Sequence, residues 1–254
     1  MLRSAHLLAL AAAAICGCTL VVAPVTAPAP LEATVGPDPA PFSSASPGGD
    51  LPAGWKPWRL SRLKRPTEFA LVNEEVGVAL RATAHASASG VQFQTSVDLR
   101  EYPHLHWRWK VPQPIEGADN TIAYVEDSPA RIVVEFEGGR ESLPEFEQIN
   151  YDLALAVSGN RLPYATLMYV WENRLPEGTL IEHHLTTRIK MIIAGSGSKE
   201  LGIWTDEVRN VLEDYRRAFN EEPPRVKSIG IMSDTDNTGA SAQAFFGDIH
   251  FRRK

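Results

Sequence analysis

His104-Leu105-His106-Trp107-Arg108-Trp109-Lys110-Val111 decides the fold of this chain. Leu105, Trp107, Trp109 and Val111 alternate with His104, His106, Arg108 and Lys110, and a period of two gives a strand one apolar face and one polar face. The same period runs through Val76–Ala82, where Val76, Val78, Leu80 and Ala82 form the inward set, and through Val91–Val97, where Val91, Phe93, Thr95 and Val97 do. Ala130, Ile132, Val134 and Phe136 alternate with Arg131, Val133, Glu135 and Glu137. Ala165–Glu172, Ile181–Ile193, Val226–Met232 and Ala244–Phe251 add further strands, separated by Gly, Pro, Asn and Asp. This pattern predicts a mainly all-β fold, a jelly-roll-like antiparallel β-sandwich.

One segment breaks the period. Val208, Val211, Leu212, Tyr215 and Phe219 fall at helical spacing between Thr205, a suitable cap, and Pro223-Pro224, which stops a helix. One amphipathic α-helix is therefore predicted over Thr205–Phe219, in the C-terminal third, with Asp206 and Glu207 at its positive end and Arg216 and Arg217 at its negative end. Glu145–Val157 fits helix or strand.

The N-terminus reads as an export signal. Arg3 precedes an unbroken apolar run, Leu7–Ile15, which is too short to span a bilayer. The only two cysteines, Cys16 and Cys18, end that run, so the sandwich has no disulfide framework. Ile15-Cys16-Gly17-Cys18 resembles a bacterial lipoprotein signal, which assigns residues 1–17 to the signal peptide and makes Cys18 the lipidated residue. The alternative is ordinary cleavage near Ala23–Ala27. Residues 18–50 carry seven prolines among Ala, Ser, Thr and Gly, with Phe42 the one aromatic, and read as a tether. Residues 51–254 then form a single sandwich domain. The resulting expectation is a cell-envelope protein on a lipid anchor, at the outer membrane and facing the periplasm or the surface. The 254 residues carry a formal charge of −6, and with no basic field nucleic acid is excluded as a partner.

Candidate sites are few. Asp234-Thr235-Asp236-Asn237-Thr238-Gly239 concentrates oxygen ligands in a loop, and Asp234, Asp236 and Asn237 are the candidate set for Ca²⁺. The twelfth position is Phe245 and not Glu, which rejects an EF-hand, and a structural turn explains the same residues. His104 and His106 share a strand face with no third metal ligand in view. His183 and His184, read within one strand, fall on opposite faces, with His183 in the core. Trp171 and Glu172 end a strand as an aromatic plate beside a carboxylate and, with Arg188, are candidates for ligand binding; burial of Trp171 is the competing reading. Glu135 and Glu137 point the same way, about 7 Å apart along a strand, and are candidates for cleaving a polysaccharide. Phosphate loops, nucleophile elbows and zinc-type cysteine spacings do not occur, so no catalytic residue is assigned.

Leu51-Pro52-Ala53-Gly54-Trp55, His106–Val111, Tyr169-Val170-Trp171-Glu172-Asn173, Asp214–Phe219 before Glu222-Pro223-Pro224, and Ile229–Gly239 with Gly247-Asp248-Ile249 together resemble the bacterial family DUF3047. The resemblance spans nearly the whole domain. It implies an exported protein with a β-sandwich similar to carbohydrate-binding modules, and supplies no activity. At Ala123–Pro129, where that family is expected to carry an Asp-rich loop, Glu126-Asp127 is what stands here. The reading that results is a noncatalytic module for a glycan or another envelope component; a polysaccharide-cleaving enzyme and a scaffold that docks an envelope protein are its alternatives.

Overall fold

A computed structural model describes residues 38–159 and 162–253. The expected signal peptide, Cys18 and the first part of the tether lie outside the described residues. Two sheets form a jelly-roll-like sandwich, as the alternation predicts. In the larger sheet the order is β1 (Trp55–Trp58), β4 (Ala88–Val97), β11 (Val226–Asp234), β6 (Ser128–Phe136), β7 (Ala165–Glu172), β9 (Ile189–Ser196) and β8 (Leu180–Glu182). The smaller sheet runs β10 (Thr205–Asn210), β5 (His104–Lys110), β12 (Ser241–Phe246), β3 (Gly77–His85) and β2 (Glu68–Glu74), with β13 (His250–Arg252) also paired to β5.

The core forms where the apolar rows of β5 and β7 meet. Trp107 lies 5.2 Å from Tyr169 and Trp109 lies 6.1 Å from Trp171, ring centre to ring centre. Each such ring removes roughly 150–250 Å² from water, so this quartet is a main source of the sandwich's stability. Gly195 makes room for it, because a Cβ there would stand 2.5 Å from the Trp171 ring.

The structure corrects three expectations. Ile181–Ile193 is not one strand: β8 and β9 are a hairpin, and β9 inserts beside β7. β9 runs antiparallel to β8 and parallel to β7, so the sandwich is not wholly antiparallel. The C-terminal helix, α2 (Val211–Phe219), starts six residues later than predicted, capped by the Asn210 side chain accepting from Glu213 N–H at 3.2 Å. Thr205–Asn210 pairs with β5 instead, and Asp206 meets Arg108 across that pairing at 2.9 Å. Strand pairing thus overrides a helical spacing that was locally sound. Glu145–Ser158 is a helix, α1, closed by Gly159 at φ 75°.

The tether also ends early. Phe42 is 1% exposed and packs 4.9 Å from Trp55, whose indole N–H donates to the Ala40 carbonyl at 2.9 Å. Asp38 accepts from the Phe251 N–H at 2.6 Å and from Arg252 at 2.8 Å. Packed structure therefore begins by Asp38 and not at Leu51, because one aromatic and one carboxylate suffice to dock a proline-rich segment.

On β10, burial pushes the Glu207 carboxyl up to about 7, with Glu177 adding repulsion. The folded value exceeds the ordinary 4.5, so the contribution to stability is complete below that pH and is lost as pH rises through about 7. Glu207→Gln is expected to raise Tm by ~2–6 °C at pH 8, for a gain on the order of 1–2 kcal/mol after allowing for partial exposure, and to change little at pH 4. Thermal melts at the two pH values decide it; equal shifts at both would exclude the ionisation as the cause.

Candidate functional site

Chemistry gathers on the outer face of the seven-stranded sheet. There the positions of β4, β11, β6 and β7 that face away from the core include Gly90, Gly230, Val133 and Met168. The two glycines make a shallow track, and the half-buried Trp58 lies across it: a Cβ at Gly90 would meet its ring at 3.0 Å, and one at Gly230 at 3.5 Å. Trp58, Leu60 and Met168 pack against a buried cluster of Ala88, Val133 and Met232.

Polar groups flank this platform. On one side Glu135 accepts from the Ser228 hydroxyl at 2.6 Å and from the Gln92 amide at 2.7 Å, and Gln94 donates to Gln92 at 2.9 Å. On the other lies a cavity of about 300 Å³ whose lining includes Lys64, Glu126, Arg131, His183, His184 and Asp234. Arg131 is its centre. The side chain is 2% exposed, its Nη1 lies 3.3 Å from Glu126 Oε1, and its Nη2 lies 3.1 Å from the Glu126 carbonyl and 3.7 Å from Asp234 Oδ2. His184 Nε2 stands 3.6 Å from the other Glu126 oxygen.

Beneath the cavity, Asp127, Asp234 and Asp236 each present an oxygen within 4.8 Å of the others. Burial pushes the Asp234 carboxyl well above the usual carboxylate range, against the pull of Arg131. Burial acts the same way on Asp236, but hydrogen bonds from Asp234 and Lys64 outweigh it and hold that carboxyl low; the Lys64 ammonium lies 2.9 Å from it. Asp127 is occupied in shaping the loop: it accepts from the Asn237 N–H at 3.2 Å and from the Thr238 N–H and hydroxyl at 2.7 and 2.6 Å. Of the candidate Ca²⁺ ligands, Asp234 and Asp236 come together. Asn237 lines the same cavity as Asp234, and its amide nitrogen donates to the Ala123 carbonyl at 2.8 Å. Asp127 is the third carboxylate, and Lys64 and Arg131 supply positive charge to the trio.

The other candidates separate. Trp171 is 0% exposed, so its ring has no face for a ligand, and the competing core reading holds. Glu172 is buried as well, accepting from the Arg174 and Leu175 N–H groups at 2.5 and 2.6 Å to close a turn. Arg188 belongs to another cluster, donating to Glu221 at 2.7 Å and lying 4.2 Å from the Tyr164 ring. Glu137 follows the end of β6 and accepts from Ser96, apart from the Glu135 network. His104 and His106 lie on the smaller sheet, opposite Arg252 and His250 of β13.

Two readings of the site residues are corrected. Arg131 and Glu135, placed by the alternation on the polar outer face of their strand, are buried because loops and neighbouring side chains cover that face. His183 and His184 sit in the turn after β8, where strand alternation no longer applies, and both line the cavity. Lys64 and Trp58 were missed, since neither carries a pattern beyond its own segment. Glu126-Asp127 had one signal, the acidic pair standing before a strand.

No curated protein matches the chain. Among solved structures, the xyloglucanase domain of NopAA from Sinorhizobium fredii, in complex with cellobiose, is 9% identical with a TM-score of 0.40, covering 81% of this chain and 100% of that one. A family 12 xyloglucanase from Bacillus licheniformis is 9% identical with a TM-score of 0.41, covering 82% and 90% respectively. Endoglucanase 3 of Trichoderma harzianum, from family GH12, is 8% identical with a TM-score of 0.36, covering 81% and 100%. Likeness at this level carries no argument about the site. The sequence from 53 to 250 matches the family described as protein of unknown function (DUF3047), and the chain belongs to that family.

Proposed function

We propose that the outer face of the seven-stranded sheet recognises a glycan. The observation that carries this reading is Trp58: a half-buried aromatic ring laid across the Gly90–Gly230 track, with hydrogen-bonding clusters on both sides. An aromatic face next to fixed amides and carboxylates suits a ring that is apolar on its faces and hydroxylated at its edges. Gln92, Gln94 and Glu135 offer donors and acceptors on one side, and Lys64, His183 and His184 on the other. The Ile15-Cys16-Gly17-Cys18 sequence supports placing this face in the cell envelope on a lipid anchor.

Affinity electrophoresis of the full chain through xyloglucan, hydroxyethyl cellulose, agarose and solubilised peptidoglycan tests the reading. Wild type is expected to be retarded by at least one polymer, and Trp58→Ala to lose about tenfold or more in apparent affinity for it. Retardation unchanged in Trp58→Ala would remove this face from recognition. Free migration in every polymer, together with recovery of one stoichiometric envelope protein, would replace the glycan with a protein partner.

A further inference from the structure

We propose that His106 and His250 form a binding site for a divalent first-row transition-metal ion, such as Zn²⁺ or Cu²⁺, on the outer face of the smaller sheet. The site belongs to the other sheet from the Trp58 face and does not depend on glycan recognition.

Strand pairing creates it. Along β5, Leu105 and Trp107 turn into the core, so His106 between them turns outward. β13 pairs antiparallel with β5, and the register sets His250 directly opposite His106 and Phe251 opposite Leu105. Leu105 and Phe251 are fully buried, so they hold the backbone beside each imidazole and oppose a slip of register. Residues directly opposite on antiparallel strands have Cα atoms roughly 4.5–5.5 Å apart and side chains on one face. Two nitrogens on one tetrahedral ion lie about 3.3 Å apart, given metal–nitrogen bonds of about 2.0–2.1 Å. Opposed imidazoles reach that spacing by side-chain rotation, with no movement of the sheet. Within the strand His106 has only His104, two positions and about 7 Å along; the fold supplies the closer partner from the far end of the chain.

The surroundings suit a cation. Both histidines line a cavity of about 330 Å³ together with Asp206, Glu207, Asp248 and Arg108. Arg108 is neutralised by Asp206, which accepts from its Nε and Nη2 at 2.9 Å each, and Arg252 by Asp38 at 2.8 Å. Neither guanidinium is therefore left to repel an incoming ion.

Asp38 supplies a second, independent feature of a ligand histidine. Its Oδ2 lies 3.3 Å from His250 Nδ1, and its Oδ1 accepts from the Phe251 N–H at 2.6 Å, which ties it to the strand that carries the ligand. A proton on Nδ1 facing that carboxylate leaves the Nε2 lone pair for the ion, the arrangement that orients metal-bound histidines. Water completes the coordination shell. Imidazole nitrogen favours Zn²⁺, Cu²⁺ and Ni²⁺ over Ca²⁺ and Mg²⁺, which take oxygen, so this pair and the Asp127–Asp234–Asp236 trio differ in the ions they suit.

The experiment titrates the untagged full chain, carrying Cys16→Ser and Cys18→Ser so that thiols do not compete, with Zn²⁺ and with Cu²⁺ by calorimetry, and records the paramagnetic resonance of the Cu²⁺ complex. This protein is expected to take up one ion per chain, undisturbed by excess Ca²⁺, with coupling to imidazole nitrogen in the Cu²⁺ spectrum. His106→Ala and His250→Ala, each checked for folding by thermal melting, are each expected to weaken binding by about tenfold or more, and Asp38→Asn by about tenfold. Asp236→Asn is expected to bind unchanged. No saturable uptake of either ion would overturn the site, as would undiminished uptake by a folded His106→Ala or His250→Ala. Uptake lost in Asp236→Asn would move the ion to the acidic trio and equally overturn it. Absence of nitrogen coupling in the Cu²⁺ spectrum would do so without any histidine variant.

Discussion

Arg131→Met is expected to destabilise the fold by about 3–5 kcal/mol at pH 7, because it leaves a buried carboxylate without its cation. Methionine fills much of the same volume, and Arg131 already touches two sulfurs, with Nη1 lying 3.9 Å from Met168 and 3.4 Å from Met191. Packing therefore changes little and charge changes a great deal. The liability is Glu126: it is largely buried and loses its Nη1 partner, whereas burial pushes the Asp234 carboxyl well above the usual carboxylate range. Glu126→Gln added to Arg131→Met should restore at least half of the lost stability at pH 7. Urea unfolding of wild type, single and double variants at pH 7 measures both. No recovery in the double variant would show that Arg131 acts through packing alone.

Gly90→Ala is expected to cost about 3 kcal/mol or more and to lower Tm by roughly 6–12 °C. Its Cβ would stand 2.3 Å from the Ile231 carbonyl oxygen and 3.0 Å from the Trp58 ring. The first neighbour is backbone of β11, held on both sides by β4 and β6, so it cannot rotate away. β4 would have to separate from β11, and Trp58 would lift from its track. Stability and glycan retention should therefore fall together. The effect is specific to the track: Gly48, with φ 71°, has open space around its missing Cβ, so Ala there would cost only the strain of its backbone angle. A Gly90→Ala protein melting within about 1 °C of wild type would show that the sheet tolerates the contact, against the overpacking cost invoked here.

The fold was largely legible because its signal is local. In Leu105, Trp107 and Trp109, period two states which face is buried, and that face is buried in the structure. α2 was half legible: its apolar spacing is real from Val211 onward, but the residues before it had a strand partner that no local pattern reveals. The candidate site was read at Asp234, Asp236 and Glu135. Its other members come from separate places in the chain: Trp58 and Lys64 before β2, Glu126 before β6, Arg131 within β6, and the histidine pair after β8.

Arg131 shows why the rest was hidden. Alternation places it correctly off the core, but two kinds of surface lie off a sheet, one open to water and one covered by loops, and spacing along a strand is the same for both. By itself the sequence determined a two-sheet sandwich with its tryptophan core, because burial of alternating side chains follows from backbone geometry within each strand. Tertiary structure alone decided which outer face carries a site, because that depends on which distant loops fold over the sheet and bring Lys64, Glu126 and His184 to one guanidinium and one acid.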